Sequence, residues 1–81
     1  MMDARTLASK LNYVGMEKSL RAILLKSRMV EADELATMTC LECCDKFLED
    51  FEIVAVENES IKAVHKCDYD KYKNMVYELS R

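Results

Sequence analysis

Residues 30–64, VEADELATMTCLECCDKFLEDFEIVAVENESIKAV, constrain the fold of this chain more than any other segment. Glu31 to Met38 reads as a short helix with carboxylates in its first turn, at the positive end of the helix dipole. Leu35, Ala36 and Met38 supply its apolar side. Thr39 stands where an N-cap is needed for a second helix, from Cys40 to about Asp50. Cys44, Phe47, Leu48 and Phe51 recur at i, i+3, i+4 and i+7, so that stripe turns inward. Ile53–Val56 and Ile61–Val64 are β-rich runs around Glu57-Asn58-Glu59-Ser60, with Asn58 suited to a left-handed turn position, and together they predict a hairpin. Helix, tight break, helix and hairpin, in that order, leave few architectures open.

The flanks extend this unit. Asp3 can cap a helix over residues 3–12 that carries Leu7, Ala8 and Leu11 on one face. Gly15 can take the positive φ that ends it. Met16 to about Met29 predicts a central helix with Met16, Leu20, Ile23 and Leu24 as its stripe, widened by Ala22 and Leu25. Val30 reads as a short bridge residue before the next helix. At the far end, Asp68 can cap a helix from Tyr69 to about Leu79, with Tyr69, Tyr72, Val76 and Leu79 along one face and Met75 beside them. The expectation is one α+β domain over residues 1–81, mainly helical, with five helices and a two-stranded hairpin.

Composition limits what such a domain can do. Eighty-one residues bury only ~60–65% of their unfolded surface, so the core is small. No proline and a single glycine imply short connections. No apolar run approaches the ~20 residues of a membrane span, and no membrane contact is expected. The N-terminus lacks a signal pattern, which predicts an intracellular location, cytoplasmic or with the nucleoid or nucleus. Reduced thiols follow for Cys40, Cys43, Cys44 and Cys67. The net charge is −3, and it is polarised. Residues 1–29 hold Arg5, Lys10, Lys18, Arg21, Lys26 and Arg28 against Asp3 and Glu17, whereas residues 30–60 hold Lys46 alone against Glu31, Asp33, Glu34, Glu42, Glu49 and other acids. Such asymmetry points to self-association or to a partner met through one face.

The run ADELATMTCLECCDKFLED followed by FEIVAVENESIKAV resembles winged-helix domains over roughly residues 16–66. The resemblance implies a winged helix-turn-helix in which Leu35-Ala36 packs the short helix against the next, Thr39 centres the turn, and the hairpin is the wing. Residues 3–14 then form an extra N-terminal helix, and the C-terminal helix is a further addition. A competing frame exists: Thr6–Asn12, Tyr13-Val14-Gly15 and Met16 onward also scan as helix, turn, helix, with Lys18, Arg21 and Lys26 on the outer face. No hairpin follows that frame. The chain departs from DNA-binding winged helices twice: the outer face of the helix after Thr39 is acidic, and the wing tip lacks a cation.

Four groups of side chains carry candidate chemistry. Lys18, Arg21, Lys26 and Arg28 are the candidates for phosphate contact, against a plain solvated face. Glu42, Asp45, Lys46, Glu49 and Asp50 are the candidates for docking a basic partner, with the same bland alternative. Tyr69, Tyr72, Val76 and Leu79 would pair two copies through the last helix, or simply pack on the core. Cys40, Cys43, His65 and Cys67 have the ligand types that zinc prefers, but a CxxC inside a helix is poor geometry, and small core cysteines are the more ordinary reading. No phosphate loop, carboxylate pair or nucleophile motif is present, so neither catalysis nor a cofactor is expected. Two functions follow: a small DNA-binding transcriptional regulator, favoured by fold analogy and acting as a dimer, or a protein-binding winged helix whose acidic helix docks a basic surface, favoured by residue chemistry.

Overall fold

The computed structural model describes residues 2–57, 59–66 and 76–80. Its elements are α1 (Ala4–Val14), α2 (Glu17–Lys26), α3 (Ala32–Thr37), α4 (Cys40–Asp50), β1 (Phe51–Val56), β2 (Ser60–His65) and β3 (Tyr77–Ser80). The architecture is α+β and mainly helical, with an antiparallel sheet in the order β1-β2-β3.

Caps set the helix ends. Asp3 accepts from the Thr6 N–H at 2.8 Å and starts α1. Gly15, at φ 72°, ends it, and the Met16 N–H reaches back to the Leu11 carbonyl at 2.9 Å. The same closure ends α2: Arg28 N–H donates to Leu25 O and Met29 N–H to Leu24 O, each at 3.0 Å. Here the left-handed position, φ 60°, is held by Arg28 instead of glycine. Between α3 and α4, Thr39 and Glu42 form a reciprocal capping box, with bonds of 2.9 and 3.1 Å.

The core joins one face of every described helix to the inner face of the sheet. Leu7, Leu11, Met16, Leu20, Leu24, Cys43, Cys44, Phe47, Phe51, Ile61, Ala63 and Leu79 are completely buried. The rings of Phe47 and Phe51 stack with centroids 4.5 Å apart. The helix phases therefore agree with the sequence periodicity, with exceptions at the margins. Leu48 is only half-buried and Cys43 takes the deeper place. Ala22, Leu25 and Ala36 lie exposed, not in the core.

The C-terminal helix is corrected where the structure describes it. Tyr77–Ser80 is a strand antiparallel to β2, pairing Ile61 with Leu79 and Ala63 with Tyr77. The expected two-stranded hairpin is therefore a three-stranded sheet. Tyr77, Glu78, Leu79 and Ser80 alternate in and out, and a neighbouring strand with unpaired backbone groups selects that period over the helical one. Residues 67–75, which carry the rest of the expected helix, and Asn58 at the hairpin turn lie outside the described residues. Val30 is buried beside the core but joins no strand.

Two substitutions test these assignments. Phe47→Ala should lower unfolding stability by about 3–5 kcal/mol in urea titrations, and a loss under about 1 kcal/mol would contradict the burial of the ring. Arg28→Gly should instead raise stability by about 0.5–1 kcal/mol, because glycine occupies positive φ without the side-chain clash.

Candidate functional site

Helix α4 faces the core through Cys43, Cys44 and Phe47. At about 100° per residue, this puts Glu42, Asp45 and Glu49 on the opposite side. All three are exposed. Lys46, the one cation of the helix, is 3.7 Å from Glu49 and is partly neutralised there. Asp50 is half-buried at the helix end, where its carbonyl accepts from the Lys66 N–H at 2.7 Å. Lys66 also donates its Nζ to the Leu48 carbonyl at 2.9 Å, which satisfies a C-terminal helix acceptor. Glu31, Asp33 and Glu34 at the start of α3 are exposed as well. At the hairpin end, Glu57 and Glu59 are exposed, and Glu57 holds Lys62 at 3.3 Å. The α3–α4 pair and the hairpin tip thus present carboxylates, and the cations nearest them are already paired.

Glu42 has a local duty too. Its carboxylate accepts from the Thr39 N–H, and this bond holds its pKa below the ordinary value of 4.5. A depressed carboxyl pKa contributes stability above the unfolded value and loses it as pH falls through the folded value.

The cations behave differently from one another. Arg21 points from α2 into the α3–α4 junction and donates to the carbonyls of Leu35 at 3.1 Å and Met38 at 2.9 Å. It also contacts Glu17 at 3.4 Å. Its guanidinium is therefore committed within the fold, tying α2 to the end of α3. Lys18, Lys26 and Arg28 are exposed. The earlier grouping of these four as one phosphate-contact set therefore divides: one side chain is architectural and the other three face solvent.

The thiols are core groups. Cys43 and Cys44 are fully buried and Cys40 is half-buried beside Glu17. Burial, then the neighbouring Cys40, pushes the Cys44 thiol up to about 12, and burial first among several causes raises Cys43 and Cys40. These thiols are poorly disposed to become thiolates at neutral pH. His65 stands at the far end of α4, edge-on to Phe51 at 5.0 Å and paired with it across the strands. Cys40 and Cys43 sit in the first turn of the same helix, so the proposed ligand set is not assembled by its described members. Cys67 lies outside the described residues, and among those described no cluster of three or more potential ligands forms.

The dimer face is likewise altered. Leu79 is completely buried in β3 against the core, Val76 is half-exposed just before that strand, and Tyr69 and Tyr72 lie outside the described residues. Among the described residues no helix is long and apolar enough to cross a membrane. No family model, curated protein or solved structure matches the chain.

Two features escaped the sequence reading. The inward turn of Arg21 had one available signal, its i+4 spacing from Glu17, which orients the side chain toward the helix flank. The left-handed Arg28 had none, since arginine is not a residue that marks such positions. For Glu42, replacement by glutamine should keep the cap at neutral pH but flatten the loss of stability below pH 4.5, measured by thermal unfolding across an acid series.

Proposed function

We propose that this chain is a non-enzymatic winged-helix interaction module whose α4 face docks a basic protein surface. The order α2, α3, α4, β1, β2 supports the winged-helix reading, as do the Thr39 capping box at the α3–α4 turn and the hairpin that follows directly. The observation that carries the partner class is the exposed row Glu42, Asp45 and Glu49 at the position of a reading helix, with Lys46 held by Glu49. A phosphate backbone brought to that face meets like charge. A lysine- or arginine-rich surface meets complementary charge, which speeds encounter and orients the partner.

The DNA-binding reading retains one specific support, the exposed cations Lys18, Lys26 and Arg28 at and beyond α2. Arg28 is notable because it keeps a left-handed backbone that glycine would hold more cheaply. These cations belong to α2 and the turn after it and not to α4, so the two readings separate by experiment. Immobilised oligolysine should retain the protein at low salt and release it as salt rises. The triple variant Glu42→Gln, Asp45→Asn, Glu49→Gln should lose that retention, while a duplex oligonucleotide should not hold the wild type. Retention on the duplex with a log–log salt slope steeper than about −3 would overturn the proposal in favour of DNA.

A further inference from the structure

Two helices of the fold carry strips of opposite charge and similar shape. On α2, Lys18, Ala22, Leu25 and Lys26 fall within an arc of about 100° at the helical repeat, and all are exposed. Arg28, in the turn beyond, is exposed as well. No acid occurs between Lys18 and Arg28. Arg21, the other cation of this stretch, turns away to the α3–α4 junction. On α4, Leu41, Glu42, Asp45 and Glu49 also fall within an arc of about 100°, and all are exposed. Each strip sets a leucine among its charges: Leu25 is 40% exposed and Leu41 39%. An apolar patch with a charged rim is the anatomy of a small protein interface. Among the described residues no salt bridge joins the two strips, and none engages Lys18, Lys26, Arg28 or Asp45.

We propose that the basic surface docked by α4 is the Lys18–Lys26 strip of α2 on a second copy of this chain. This inference rests on the reading of α4 as a dock for a basic protein surface, and it names that surface. Charge complementarity selects the second copy, because the chain carries both halves of the contact. Lys18 and Lys26 lie about 12 Å apart along α2, and Glu42 and Glu49 about 10 Å apart along α4, so the charged lengths match. Leu25 sits at the Lys26 end of its strip and Leu41 at the Glu42 end of the other. Bringing the leucines together therefore runs the two helices antiparallel, with Lys26 beside Glu42 and Lys18 beside Glu49. That direction also sets the positive end of each helix dipole near the negative end of the other. Two short strips bury less than the ~1,200 Å² of stable complexes, so the association is weak and concentration-dependent. Its attraction is electrostatic at the rim, so salt dissociates it.

Sedimentation equilibrium of the full chain at about 0.5 mM, under reductant to exclude disulfide-linked species, tests it. In ~10 mM salt the wild-type mass should exceed that of the monomer, and it should return to the monomer in ~1 M salt, where the screening length falls from ~30 Å to ~3 Å. The variant Lys18→Glu, Lys26→Glu should be monomeric in both. So should Asp45→Lys, Glu49→Lys, which leaves the Thr39–Glu42 capping box intact and reduces the magnitude of the −3 net charge. The substituted positions are all exposed, and circular dichroism should confirm an unchanged fold. An equimolar mixture of the two variants should associate again, because the untouched α4 of the first meets the untouched α2 of the second. Wild type that is retained on immobilised oligolysine yet stays monomeric at low salt would overturn this inference and leave the docking reading standing. Wild type that oligolysine does not retain would remove that reading and this inference with it. Association that persists in ~1 M salt or in either variant alone, or a mixture that stays monomeric, would overturn the proposal as well.

Discussion

The ring of Phe51 is the contact on which the rest of the structure depends. It stacks on Phe47 of α4 at 4.5 Å, meets His65 of β2 edge-on at 5.0 Å and Tyr77 of β3 edge-on at 5.1 Å. One side chain therefore touches the helix before it and both strands that pair after it. Aromatic pairs of this kind add about 0.5–1.5 kcal/mol each beyond the area they bury. The geometry matters more than the sum. Phe51 is the residue immediately after α4 and the first of β1, so helix and sheet join with no intervening loop. Fixing Phe47 inward fixes the phase of α4, and that phase sends Glu42, Asp45 and Glu49 outward.

Charge then separates by role. Carboxylates near the α3–α4 turn stay at the surface, and the one nearby arginine, Arg21, turns inward to satisfy carbonyls at the end of α3. Lys18 and Lys26 of α2 and Arg28 in the turn after it stay exposed. The basic third of the chain is thus less available than a count of residues suggests, whereas Glu42, Asp45 and Glu49 stay exposed on α4.

Much of this was legible in the sequence because local signals and burial agreed. Asp3, Gly15 and Thr39 mark helix ends by side-chain or backbone chemistry that acts within a few residues. The stripe through Cys44, Phe47 and Phe51 has one period and one buried face. The terminal segment failed for the opposite reason. Tyr77 to Ser80 satisfies both a helical and an alternating pattern over so short a span, and the decision comes from β2, a partner more than a dozen residues away. The inward turn of Arg21 and the left-handed backbone of Arg28 were not legible, because charge says nothing about where a long side chain ends, nor about the backbone beneath it. The thiols and His65 illustrate the same limit for metal chemistry: suitable ligand types occurred in the chain, but the rigid length of α4 holds the described ones apart.

Helix α3 has only six residues, well short of what an isolated helix needs to persist in water. Leu35 is its single buried residue, and the bonds from Arg21 reach its last turn and the residue after it. Its order is therefore borrowed from α2 across a narrow contact. Among the described helices its amide protons are expected to exchange before those of α1 or α4. Because it adjoins the acidic face, the breathing of α3 would give that face a local adaptability that the stacked rings beneath α4 deny to the rest of the fold.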